Sequence, residues 1–301
     1  MLSSRIIGWG HYLPQKIMTN KDLSKIVDTN DEWIISRTGI TQRFIAEKKE
    51  LTSDLAIIAG KKAIKKAGIK SNDIDYIILA TTTPDQTFPS TACKVQASLK
   101  IGNTPSFDIQ AVCSGFIYSL QLADSLIKSN KAKNILVIGA ETLSKIVDWD
   151  DRRTCVLFGD GAGAVIIKAE NTKDQQGILS ANLFSDGSWH DSLYADGGPS
   201  LDQKVGKIRM KGQDIFKQAV TKLSESTILS LKDCNKTIQD INWLIPHQAN
   251  LRIINGTAKR LGIPKSKVIS TVSSHANTSA ASIPLALSTS LDEGKINHGD
   301  L

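Results

Sequence analysis

The chain has 301 residues, 41% hydrophobic and 22% charged, with 37 basic and 30 acidic residues giving a formal charge of +7 and a pI near 9.1. These proportions suit a soluble globular protein with one large domain or two ordinary ones, and they exclude a disordered or low-complexity chain. The apolar runs YIILA, ILVIGA and AVIIKA are too short to span a bilayer, and the cysteines Cys93, Cys113, Cys155 and Cys234 form no CxxC pair or metal-binding cadence with histidine.

The opening MLSSRIIGWGHYLP reads as a strand and a turn, not as a signal peptide, so free thiols in a reducing cytoplasm are expected. Residues 54–80 then read as a helix (DLAIIAGKKAIKKAGI), a polar turn (KSND) and a strand (IDYIILA). A second helix and strand follow, TACKVQASLKIG and PSFDIQAV, and lead into a helix that begins at Cys113. The first half continues through KNILVIGAE and TCVLFGDGAGAVIIKAE. Residues 214–246 repeat the plan with DIFKQAVTKLSESTILSLKD, NKTIQD and INWLIP, and LRIINGTAKRLGIP and KVISTV then lead into a helix after Asn277.

Alternation of this kind predicts an α/β fold built twice, with helices sandwiching largely parallel sheets, over residues 1–170 and 171–301. The repeat makes Cys113 and Asn277 expected pseudo-symmetric partners near a shared axis. By the same symmetry, strands should follow SLDEGKINHGDL, so the natural chain is expected to continue past Leu301. In FGDGAGA (Phe158 to Ala164) a strand follows the glycines. That excludes a dinucleotide loop, which needs a helix there, and the glycines are expected to serve a tight connection between strands.

Three motifs stand where a strand pattern gives way to a turn: DIQAVCSGF around Cys113, LIPHQAN around His247 and SSHANTSAA around Asn277. A thiol at a helix start meets unsatisfied N–H groups and partial positive charge, which lower its pKa. Singly, each residue also has a structural explanation: an inert buried thiol, a core histidine, a helix cap. Jointly they suit acyl transfer through a thioester. A papain-like hydrolase would use the same residue types, but the C-G-S-C-W context of those proteases is missing. The mild basicity suits an acidic macromolecular partner, although lysines on a solvated helix face such as GKKAIKKAGIK give the same sum.

AVCSGF, PHQANLRII, NTSAAS, DEWIISRTGI and FGDGAGA together resemble the β-ketoacyl-acyl-carrier-protein synthase III family, the initiating condensing enzymes of bacterial type II fatty-acid synthesis. The resemblance implies a thiolase-like fold, a five-layered αβαβα sandwich of two pseudo-symmetric halves, as a cytoplasmic homodimer. It implies that Cys113 takes an acetyl group from acetyl-CoA and that His247 and Asn277 donate to the thioester carbonyl of malonyl-acyl-carrier protein, stabilising its enolate. Trp33 and Arg152 match the pair that sandwiches the adenine of coenzyme A, Arg37 a phosphate-side arginine and Gly212 a residue at the pantetheine tunnel. Gln213 stands where the family usually has asparagine, and Arg153 where a small residue is common. Phe88 matches a ring that crosses the dimer interface to line the partner's acyl pocket, which favours short straight primers. Arg252, Lys217, Lys259 and Arg260 match carrier-protein docking positions. No cofactor, metal or nucleic acid is implied, since acetyl-CoA is a substrate. Two other readings stay open at this point: a relative that condenses a different acyl-CoA, and a dimeric interaction protein without turnover.

Overall fold

The computed structural model describes residues 2–172 and 176–301. In chain order, the first half runs β1 (Leu2–Tyr12), β2 (Lys16–Thr19), α1 (Asn20–Leu23), α2 (Asp31–Thr38), β3 (Gln42–Ile45), α3 (Thr52–Ala67), β4 (Tyr76–Ala80), α4 (Thr91–Ser98), β5 (Ser106–Ile109), α5 (Gly115–Lys128), β6 (Asn134–Thr142) and β7 (Asp160–Asn171). Five of these strands form one sheet in the order β1-β7-β6-β4-β5, while β2 and β3 pair apart from it. β4 is parallel to β5 and β6, whereas β7 is antiparallel to β6 and β1. The inner strands are covered on both faces, which is why YIILA and ILVIGA are continuous apolar runs and not alternating ones.

On one face α3 packs Leu55, Ala56, Ala59 and Ala63 against Leu136, Ile138, Ala164 and Ile166. Small residues on α3 bring its axis close to the sheet, and Gly68 ends the helix in the left-handed conformation at φ 67°. The opposite face meets α5 through Phe116, Ala123 and Ile127, joined by Ile283 and Leu287 from the chain's last helix.

The second half contributes β8 (Leu193–Ala195), β9 (Ile208–Met210), α6 (Gly212–Asp233), α7 (Leu251–Leu261), α8 (Val272–His275) and α9 (Ser282–Asp292). α9 lies beside α5 on the first-half sheet, so the halves share a central helical layer. The stretches read as strands, 241–246 and 267–272, form no ladder: they make an isolated parallel bridge, Leu244 to Val268, while Lys267 ends a 3₁₀ turn and Val272 already opens α8. Leu244 N–H donates to Lys267 O and Ile269 N–H to Leu244 O, while Asn242 and Trp243 both donate to Leu301 O. Residues 178–182 and 244–247 both line one cavity.

The glycines expected to serve a strand connection do something else. β7 runs unbroken from Asp160, and Gly163 lies inside it. A Cβ on Gly163 would stand 2.5 Å from the carbonyl carbon of Pro284, and one on Gly139 would stand 2.2 Å from Ala280 O. Both glycines let the second half's backbone rest directly on the first half's sheet.

Candidate active site

β5 ends at Ile109, and residues Val112–Ser114 form one 3₁₀ turn before α5 opens at Gly115. Val112 holds φ 47°, a left-handed conformation that strains a β-branched residue by ~1–3 kcal/mol. This sharp turn delivers Cys113 to a cavity of about 500 Å³, which His247 also lines. Gly115 is needed behind it, because a Cβ there would stand 2.8 Å from Ala80 Cβ.

The thiol's environment differs from the sequence expectation. Burial pushes the Cys113 thiol up to about 11, so desolvation outweighs the pull of the helix start. The Ser279 hydroxyl stands near enough to favour the thiolate, yet it makes no hydrogen bond of ordinary geometry. The charge of Glu141 raises the thiol further. This carboxyl, at the end of β6, is fully buried and is itself pushed up to about 7 by burial. It accepts from Thr82 N–H and from the hydroxyls of Thr81, Thr82 and Thr83, pinning the loop that follows β4.

His247 follows Pro246 on the loop between the bridged segment and α7, and burial alone drives its imidazole down to about 4, so the ring is neutral. Its Nδ1 lies 2.7 Å from Ser282 Oγ, which also accepts from Gln248 N–H at 3.3 Å. Gln248 is buried and staples the loop, donating to Pro246 O and Ile269 O and accepting from Thr271 N–H. Asn277 is buried, and its main chain is bonded at both ends to the strand entering β7: it donates to Leu157 O and accepts from Gly159 N–H. Its Oδ1 accepts from Ser279 N–H at 2.9 Å, so the carboxamide presents its NH₂ end as donor.

The turn Ser279–Ala281 packs against the turn Val112–Ser114 near the junction of the halves. The two turns match closely: Ser279 holds φ 48°, and each turn runs directly into a long helix, α9 or α5. That register makes Val112 equivalent to Ser279, Cys113 to Ala280 and Gly115 to Ser282. Asn277 is therefore not the symmetry mate of Cys113, as the sequence reading expected; it falls opposite Gln110. Positive φ at both turns, invisible in the sequence, is what reveals the offset.

A model of the 3-oxoacyl-[acyl-carrier-protein (ACP)] synthase III family matches residues 107–187, and one for the C-terminal part of that family matches residues 231–301. The chain is 55% identical over 296 residues to the β-ketoacyl-[acyl-carrier-protein] synthase III of Rhizorhabdus wittichii, covering 98% of this chain and 92% of the relative. It is 58% identical over 302 residues to the protein of that name from the Wolbachia pipientis of Culex pipiens, covering 100% of this chain and 94% of the relative. The crystal structure of 3-oxoacyl-[acyl-carrier-protein] synthase III from Aquifex aeolicus superimposes with a TM-score of 0.94 at 51% identity, over 99% of this chain and 94% of that one. The chain belongs to the 3-oxoacyl-[acyl-carrier-protein] synthase III family.

Its fold is the thiolase-like fold of this synthase family. Of the more distant sequence-predicted residues, Trp33 and Arg152 do meet: the guanidinium lies over the indole, 5.2 Å from its centroid. Arg152 also donates to Asp28 O. Two stacked contacts of about 3.5 Å need about 7 Å between the groups, so the pair as it stands leaves no room for a ring between them. Arg37 is exposed in the last turn of α2, the same helix as Trp33. Gly212 and Gln213 are exposed at the start of α6. Arg153 folds back onto Asp151. Phe88 is 80% exposed and does not line its own chain's cavity. Lys217 on α6 and Arg252, Lys259 and Arg260 on α7 are exposed on packed neighbouring helices, with Arg252 over the Phe216 ring at 5.2 Å. Sequence reasoning missed Glu141, Gln248 and Ser282; all three sit inside quoted stretches, but their roles depend on partners far away in the chain.

Proposed function

We infer that the protein catalyses the decarboxylating condensation of acetyl-CoA with malonyl-acyl-carrier protein, giving acetoacetyl-acyl-carrier protein, CO₂ and CoA, the initiating step of fatty-acid synthesis. The observation that carries this reading is a cysteine and a neutral histidine on one cavity wall in a chain of this synthase family. Cys113 Sγ attacks the acetyl thioester, the CoA sulfur leaves with a proton, and an acetyl-cysteine remains. Malonyl-acyl-carrier protein then loses CO₂, and the electron pair of the broken C–C bond moves onto its thioester as an enolate. His247 and Asn277 donate hydrogen bonds to the enolate oxygen, and preorganised neutral donors in a dry pocket suffice for this. The carbanion attacks the acetyl carbonyl, the C–S bond to Cys113 breaks, and the departing thiolate takes a proton from water to restore the thiol. The elevated thiol makes nucleophile activation the demanding part of acylation, and the low histidine keeps a neutral donor available.

Coenzyme A is assigned to Trp33, Arg37, Arg152 and Gly212, with Arg152 as a mobile flap. The carrier protein, an acidic partner, is assigned to Arg252, Lys217, Lys259 and Arg260. The halves divide as 1–170 and 171–301. A homodimer is supported by β5, the last strand at one edge of the sheet, with exposed Phe88 and Val112 near it; Phe88 would then close the partner's acyl pocket. A cytoplasmic setting fits the free cysteines, and no helix among the described residues is long and apolar enough to cross a membrane. Intact-mass analysis after mixing with acetyl-CoA tests the reading: one acetyl increment is expected, lost in C113A. No adduct would favour a non-enzymatic interaction protein.

A further inference from the structure

We propose that Ser282 is a positioning residue for the condensation, its hydroxyl donating to Nδ1 of His247 and so holding the ring's proton on Nε2. Ser282 opens α9 and is 1% exposed. Its oxygen has two partners, Gln248 N–H at 3.3 Å and His247 Nδ1 at 2.7 Å. The amide can only donate, so Ser282 Oγ accepts there. The hydroxyl proton then has one acceptor among these partners, the ring nitrogen. A ring that accepts at Nδ1 while neutral carries its proton on Nε2, which makes it a donor for an enolate oxygen. The opposite tautomer would leave Nε2 with a lone pair facing the developing negative charge.

The duplicated architecture explains why a serine can stand here. The first-half equivalent is Gly115, where a Cβ would stand 2.8 Å from Ala80 Cβ, so that half cannot place a side chain at this point. In the second half the same backbone position carries a hydroxyl aimed at the loop bearing His247. Gln248 completes the device by fixing the loop to 269–271, which holds both the N–H and the ring in register with Ser282.

The inference rests on reading His247 as the enolate donor, and the test separates the two. Nitrogen-15 NMR of histidine-labelled protein, with H247N to assign the signal, reads the tautomer directly. Intact mass reads acetyl transfer to Cys113, and CO₂ release reads malonyl decarboxylation. The wild type should show protonated Nε2. S282A should show mixed tautomers and slow decarboxylation on the order of tenfold, with acetyl transfer unchanged, and S282T should restore the wild-type ring signal. Protonated Nδ1 in the wild type overturns the proposal, even if S282A fails to fold, and so does undiminished decarboxylation in a folded S282A. A wild type with protonated Nε2 that takes no acetyl group would sink the condensing reading and leave the tautomer assignment standing.

Discussion

Cys113 and His247 share a cavity, and burial moves both away from their charged forms, the thiol up to about 11 and the imidazole down to about 4. The two half-reactions should therefore respond differently to pH. Below about 11 the thiol is mostly protonated, so the reactive thiolate gains about tenfold per pH unit, and acetylation of Cys113 should rise in step between pH 7 and 9. A plateau from pH 7 upward in rapid-quench acylation would contradict this. Decarboxylation by pre-acetylated enzyme needs a neutral ring, which protonates only as pH falls towards about 4. Its rate should stay flat from pH 8 to pH 6, where an ordinary histidine of pKa about 6.5 would already cost more than half. The sequence placed the thiol correctly at a helix start but gave the wrong direction for its pKa. Desolvation depends on what the rest of the fold packs around it.

At the level of elements, close approach of backbones decides where the turn after Asn277 stands. Gly139 and Gly163 leave space for Ala280 and Pro284 against β6 and β7. Replacing Gly139 by Ala should destabilise the fold by about 2 kcal/mol or more, read as a lowered denaturation midpoint, because the new methyl meets backbone and cannot be turned aside. The same change should slow decarboxylation, since the displaced turn follows Asn277. The α6–α7 pair invites a different experiment. Arg252 lies over Phe216, fixed on an exposed helix face well outside the cavity lining. Reversing it to Glu should raise the KM for malonyl-acyl-carrier protein several-fold while leaving acetylation by acetyl-CoA unchanged. Equal loss of both would contradict a docking role. The longer helices were legible in stretches such as DLAIIAGKKAIKKAGI and LRIINGTAKRLGIP, whereas the cap of α7, Asn250 accepting from Ile253 N–H, emerged only in the structure. INWLIP and KVISTV read as strands but form only a single bridge, because ladder pairing is a non-local event.

For the whole molecule, the half-exposed edge strand β5 and the exposed Phe88 predict a species of twice the 32.7 kDa chain in sedimentation. If Phe88 closes the partner's pocket, F88A should raise turnover of isobutyryl-CoA relative to acetyl-CoA. An unchanged primer preference would place the ring elsewhere. Phe88 is absent from the wall of its own chain's cavity, so that role would require a second chain.

The sequence alone determined the α/β class and the family, and set a cysteine, a histidine and an asparagine at turns, because these are carried by local pattern: hydrophobic period, turn residues and short motifs. Tertiary structure decided that Ala280, not Asn277, mirrors Cys113, that the glycines of FGDGAGA admit a helix, and that burial sets the thiol and the ring. It also brought Ser282 to within 2.7 Å of a histidine 35 residues away. Those outcomes depend on distances between segments remote in the chain, and on the water those segments exclude, neither of which is written in any local stretch of residues.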